Sequence, residues 1–258
     1  MSERIIVGKE DERIQRFGLT IGMVGCLASG KTTLAAELGR RWGLKPVEEN
    51  YPENPFLARF YENPSEFSFK SQVFFLTSKV EQLLRVEKSS VSLIDPSLTM
   101  DFIYAKTHHK MGWMNDGEWN LYQNLFNTLS QKENLRYPDM HIVVLADQQD
   151  LQKRIVERDR PYEMWILKNY PEYLAKLSDS VEEWSKEKHK DTFIFIANTS
   201  AGFPGGSVGQ LADRIESHIL AHFGLNGRLT LPNIKPNLGV RSEDYFPGIS
   251  SESLRFAR

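Results

Sequence analysis

Residues Gly25-Cys26-Leu27-Ala28-Ser29-Gly30-Lys31-Thr32 fit the spacing G-x-x-x-x-G-K-[ST], and their flanks commit the chain to one local architecture. Before them runs Leu19-Thr20-Ile21-Gly22-Met23-Val24, short, apolar and β-branched, which predicts a buried strand. After them runs Thr33-Leu34-Ala35-Ala36-Glu37-Leu38-Gly39-Arg40-Arg41, rich in helix formers. Strand, glycine loop and helix start is the context in which this spacing binds a phosphate chain. Gly25 and Gly30 allow backbone N–H groups to turn inward around an anion, where side chains would obstruct them. The helix beginning near Lys31 adds the positive end of its dipole. The backbone from Gly25 through Cys26, Leu27, Ala28, Ser29 and Gly30, with Lys31, Thr32 and Thr33, is the expected triphosphate cradle. Lys31 brings a mobile cation to the β- and γ-phosphates, and the Thr32 hydroxyl can ligate Mg²⁺. A nucleoside triphosphate is the expected ligand.

Composition narrows the setting. A net charge of -2 and a pI near 6.3 leave no basic footprint, so no nucleic-acid partner is expected. Cys26 is the single cysteine, so a disulfide framework is excluded and a reducing compartment is expected. Its place in the loop reads as that of a small residue, not a nucleophile. Met1 to Phe17 is charged throughout, with no apolar signal segment, and no run approaches the ~20 apolar residues that span a bilayer. A cytoplasmic protein with no membrane partner is expected.

Along the chain, strand and helix patterns alternate. Further strands are predicted at Pro46–Glu49, Ser90–Asp95, Met140–Ala146 and Thr192–Ile196. Helices are predicted at Ser65–Lys88, Leu98–Lys110, Glu118–Lys132, Leu151–Arg158, Leu167–Lys188 and Val208–His222. This alternation implies an α/β fold, a five-stranded parallel sheet flanked by helices, with ligands at the carboxyl ends of the strands. A charged segment over 1–17 precedes the expected domain of 18–223, and an irregular tail over 224–258, rich in Pro, Asn, Gly and Ser, follows it.

Certain polar residues stand out beyond the loop. Asp95 ends an apolar strand, where a phosphate-loop enzyme places its Mg²⁺-side acid; it would equally cap the next helix. Glu49 follows the second strand at the loop's end of the sheet, where a carboxylate can take a proton from an acceptor hydroxyl. Arg154 and Arg158 share a helix face, and Pro161 then reads as closing that helix and leaving Arg158 and Arg160 on a mobile segment. Guanidinium groups there would form a lid over transferring phosphate, although Glu157 and Asp159 interleave as on a solvated face.

The segment Glu49-Asn-Tyr-Pro-Glu53-Asn54-Pro55-Phe56-Leu57-Ala-Arg-Phe60-Tyr61-Glu-Asn-Pro64 carries a resemblance. With Phe69-Lys-Ser-Gln72, Asp95-Pro96-Ser97 and the arginine cluster, it resembles the deoxynucleoside kinase family, in particular its bacterial branch. The resemblance runs from the strand before the loop to about Phe223. It implies a P-loop kinase fold, ATP-dependent phosphorylation of a deoxynucleoside 5′-hydroxyl in nucleotide salvage, and a homodimer packed through long helices. Residue by residue it makes Glu49 the general base, Tyr61 and Glu163 contacts of the sugar 3′-hydroxyl, and Gln72 the reader of the base edge. Asp101 and Ala105 match a later aspartate and alanine, Tyr104 takes the place of the aromatic that stacks on the base, and Arg154, Arg158 and Arg160 match the lid. Lys31, Glu49 and Arg158 are the expected catalytic residues.

One departure from that pattern matters. Pro96 stands where the family has an arginine that helps hold the 5′-oxygen and the incoming phosphate, and proline offers neither charge nor donor. Arg85 and Lys106 are candidate substitutes. Other readings stay open here: a nucleoside monophosphate or other small-molecule kinase, and a nucleotide-dependent binding module that has lost transfer.

Overall fold

The computed structural model describes residues 18–222, apart from 50, 87–90, 133–134, 188–191 and 202–206. The segments 1–17 and 224–258, and most of the glycine-rich turn before the last helix, lie outside the described residues.

Strand β1 (Thr20–Gly25) is buried along its whole length, which explains its continuous apolar character: a central parallel strand is covered on both faces. It lies between β3 (Ser92–Asp95) and β4 (Met140–Leu145), with β2 (Val47–Glu48) and β5 (Phe193–Asn198) at the edges. Every pairing is parallel, in the order β2-β3-β1-β4-β5. Ile21 is in register with Leu93 on one side and Met140 on the other. The chain therefore reverses its direction of winding at β1, and a crevice opens beyond the carboxyl ends of β1, β3 and β4.

Helix α1 (Lys31–Trp42) leaves the loop and buries Leu34, Leu38 and Trp42 against β1, β3 and the last helix, α9 (Val208–His222). Gly43, left-handed at φ 68°, stops α1 after Arg40 and Arg41, a cap and a charge pair suited to a helix C-terminus. Arg41 then ties α1 to α9 through Asp213 at 2.6 Å and Glu216 at 2.9 Å. On the opposite face pack α4 (Leu98–Lys110) and α8 (Pro171–Lys186), through Met100, Ile103, Leu174 and Leu177. Helices α3 (Pro64–Arg85) and α5 (Asp116–Ser130) close a further core with α4, centred on Leu76, Leu83, Leu98 and Tyr122.

Differences from the expected elements have local causes. The helix expected from Glu118 begins at Asp116, because Asn115 and Glu118 form a reciprocal capping box. The expected Leu167–Lys188 helix is two: α7 (Pro161–Asn169) and α8, broken before Pro171, which cannot continue a helix through its nitrogen. Helix α6 (Gln148–Arg158) ends at Asp159, left-handed at φ 48°. Pro161 does not leave a loose segment behind it: it is the first residue of α7, the position where its missing N–H costs nothing. Arg158 and Arg160 thus bracket a defined helix–helix corner. A short helix, α2 (Leu57–Glu62), and a 3₁₀ turn at Tyr51–Glu53 were not expected from periodicity.

Candidate active site

The loop after β1 is as tightly packed as its glycines suggest. A Cβ on Gly25 would lie 2.5 Å from the Val144 carbonyl oxygen and 2.7 Å from Ser29 Oγ, so no other residue fits. Gly30, at φ 96°, turns the chain into α1. Lys31 Nζ donates to the carbonyls of Gly25 and Cys26, each at 2.9 Å, and so lies folded over the loop. Burial lowers the pKa of its ammonium, and Asp95 works against that shift. Beneath the loop Cys26 is buried, its thiol pushed up to about 12 by burial, so it stays protonated and inert.

A cavity of about 360 Å³ opens from this loop between the sheet and the α2, α3, α4 and α7 helices. Its walls bring together Leu27 to Thr32, Glu49, Asp95, Tyr61, Gln72, Tyr104, Arg158, Arg160 and Glu163. Glu49 is positioned by its backbone N–H, which donates to the Asp95 carbonyl at 3.1 Å. Burial raises the pKa of its carboxyl, with Lys79 and Lys31 opposing that shift. Asp95 is 4% exposed, and its Oδ1 has no hydrogen-bond partner among the described residues. Gln72 Oε1 is likewise buried without a hydrogen-bond partner among the described residues. Glu163 is 3% exposed; its Oε1 lies 3.1 Å from Arg160 and 3.6 Å from Arg158, while its Oε2 is unpartnered among the described residues. Burial raises the Tyr61 hydroxyl well above its ordinary range, so it remains a neutral donor.

Some expected site residues stand elsewhere. Arg154 does not line the cavity: it donates to the loop carbonyls of Ala28 at 3.3 Å and Ser29 at 3.4 Å, and to Thr199. It braces the loop from its place one turn before Arg158 on α6. Asp101 is buried behind the cavity wall, its carboxyl pKa raised well above the ordinary range by burial and lowered by Lys79. Thr33, Gly25 and Cys26 contribute backbone but no lining. Neither Arg85 nor Lys106 lines the cavity in place of the missing arginine; Lys106 instead faces Glu183 at 3.8 Å and Glu187 at 3.9 Å.

Sequence reasoning also passed over functional surroundings. Lys79 is 2% exposed with its Nζ unpartnered among the described residues, and its charge acts on both Glu49 and Asp101. The available signal was its position among Leu76, Val80 and Leu83 on the apolar face of α3, seven residues beyond Gln72. Tyr162 and His108 also line the cavity. His108 Nδ1 is 2.8 Å from Ser68 Oγ and its Nε2 3.1 Å from the Tyr173 hydroxyl, while its ring stacks on Phe60 at 4.9 Å.

Burial pulls the pKa of His108 down from 6.5 to about 3, which sets a pH dependence of stability. Between those values the unfolded chain binds a proton that the folded chain refuses, so stability is full above 6.5 and falls with pH below it. From pH 6.5 to pH 5 this one group removes about 2 kcal/mol. Urea midpoints at pH 7.5 and pH 5 should differ more for the wild type than for His108→Gln; equal pH dependences would show that His108 is not held neutral.

Comparison with known proteins bears on this arrangement. A family model described as deoxynucleoside kinase matches residues 21–219. Among curated proteins, a deoxyadenosine/deoxycytidine kinase of Bacillus subtilis is 28% identical over 166 residues, covering 64% of this chain and 75% of the relative. A deoxyadenosine kinase of Dictyostelium discoideum is 29% identical over 171 residues, covering 66% and 68%. A deoxyguanosine kinase of Bacillus subtilis is 29% identical over 154 residues, covering 60% and 73%. Among solved structures, a deoxyadenosine kinase from M. mycoides superposes with a TM-score of 0.67 at 24% identity, covering 79% of this chain and 100% of that one.

Proposed function

The chain belongs to the deoxynucleoside kinase family, and we propose that it transfers the γ-phosphate of Mg²⁺-ATP to the 5′-hydroxyl of a deoxynucleoside within the cavity described. One observation carries the assignment of the acceptor. The described lining residues from α2, α3 and α4 include no lysine or arginine, whereas the loop and lid supply Lys31, Arg158 and Arg160. An uncharged nucleoside suits the former and a triphosphate the latter; a monophosphate acceptor would need a cation of its own.

In this mechanism Glu49 takes the proton of the 5′-hydroxyl as its oxygen attacks the γ-phosphorus, and ADP leaves. The loop N–H groups and Lys31 hold the phosphate chain, and Arg158 and Arg160 meet the charge on the transferring group. Tyr61 and Glu163 take the sugar 3′-hydroxyl, Gln72 the base edge, and Tyr104 the base face. Asp95 Oδ1, buried and without a partner among the described residues, and the Thr32 hydroxyl at the cavity wall fit a hard cation that keeps most of its ligands as water and phosphate. Bound there, Mg²⁺ would neutralise charge on the β- and γ-oxygens. Asp101 acts with Lys79 beside Glu49, and Arg154 serves ATP by holding the loop.

We place the kinase domain at 18–223 and the reaction in the cytoplasm; no described helix is long and apolar enough to cross a membrane. A homodimer is proposed through α3 and α5, where Leu84 is 38% and Leu121 50% exposed. Incubation of the protein with ATP, each of the four deoxynucleosides and their 5′-monophosphates, with and without EDTA, tests this function. Phosphorylation of at least one deoxynucleoside, of no monophosphate, and of nothing in EDTA is expected. Preference for a monophosphate would overturn the proposal.

A further inference from the structure

The lid carries a second aromatic that touches the sugar wall. Tyr61 and Tyr162 stack with ring centroids 4.9 Å apart and planes inclined by 27°, and both line the cavity. Tyr61 comes from α2 and also meets the adjacent Phe60 ring in a tilted contact, with centroids 5.1 Å apart. Tyr162 lies in the first turn of α7, between Arg160, the residue that caps this helix, and the buried Glu163. Pro161 at the first helical position restricts the backbone of that corner. The arginine that faces phosphate, the ring that stacks on Tyr61 and the carboxylate at the sugar end are thus consecutive on one rigid turn, interrupted only by Pro161.

We infer that Tyr162 is a specificity-determining positioning residue: by stacking on Tyr61 it fixes the phenol and Glu163 as a pair that selects a sugar bearing a free 3′-hydroxyl. This inference rests on the deoxynucleoside as acceptor. Without the stack the Tyr61 ring loses its contact with α7, and its hydroxyl loses a fixed direction. Misdirected hydrogen bonds weaken steeply with angle, so a hydroxyl-bearing sugar loses more than a sugar with nothing to offer there. The surroundings of the Tyr61 hydroxyl agree with this placement: Tyr162, Glu163 and Glu49 all act on it.

The test compares a 2′-deoxynucleoside with its 2′,3′-dideoxy counterpart in wild type, Tyr162→Ala and Tyr162→Phe, by kcat/KM and by calorimetric Kd. In Tyr162→Ala the preference for the 3′-hydroxyl should fall about 3- to 10-fold, the scale of one lost aromatic pair, through weaker binding of the deoxynucleoside. Tyr162→Phe should keep the wild-type preference because it keeps the stack. An equal loss for both sugars in Tyr162→Ala would reduce Tyr162 to lid packing and overturn the inference, as would an unchanged preference. Failure of the acceptor assignment reads differently: wild type would then neither bind nor phosphorylate the deoxynucleoside, and with no 3′-hydroxyl preference to set, the inference would fall with it.

Discussion

Lys31→Ala should lower kcat by about 10³-fold or more while leaving the fold intact. The expectation follows from where the side chain is spent. Among the described residues, Lys31 Nζ donates to the loop carbonyls of Gly25 and Cys26 and belongs to no hydrophobic cluster, so its removal opens no cavity in the described core. What it removes is a cation held in a partly desolvated site at the end of β1, beside Asp95 and Arg158. Such a charge is worth far more against a developing phosphate charge than it would be in water. Single-turnover kinetics report the transfer step, and a thermal melt reports the fold. Near-wild-type turnover with an unchanged Tm would show that the loop binds without taking part in transfer.

Glu49→Gln should reduce kcat about 10²- to 10⁴-fold and leave KM for the nucleoside much less affected. The amide keeps the size of the side chain and some hydrogen bonding but accepts a proton poorly. The backbone of residue 49 is held by the Asp95 carbonyl at 3.1 Å regardless of the side chain, so the substitution should not displace the segment. A normal kcat with only a raised KM would demote Glu49 to a binding group. Glu48, which also lines the cavity, would then be the next candidate; Glu53 does not line it.

The strand, loop and helix around Gly25 were legible because the motif and its flanks constrain each other, as were β4, an apolar run buried from Met140 to Val144, and α9. The lid was legible in residue type and not in shape. Proline at 161 ends one helix or begins another with equal local sense, and only the left-handed turn at Asp159 decides that it begins α7. The apolar period of Leu167–Lys188 runs through the break at Tyr170, so the pattern alone suggested one helix. Arg154 and Arg158 share a helix face, yet one braces the loop and the other faces the cavity, a division set by tertiary contacts. Lys79 was invisible for a related reason: a lysine in a long helix is ordinarily solvated, and its burial here, at 2% exposure, is set by tertiary packing. Likewise neither Arg85 nor Lys106 reaches the cavity wall in place of the arginine missing at Pro96.

The central proposal is transfer itself, and rapid-quench product analysis with γ-labelled ATP and the preferred deoxynucleoside tests it most directly. The label should appear on the 5′-oxygen of the nucleoside, with one ADP formed for each monophosphate. ATP bound without any labelled monophosphate, or ADP released to water in its place, would contradict a kinase and leave a nucleotide-binding module with Pro96 as its mark.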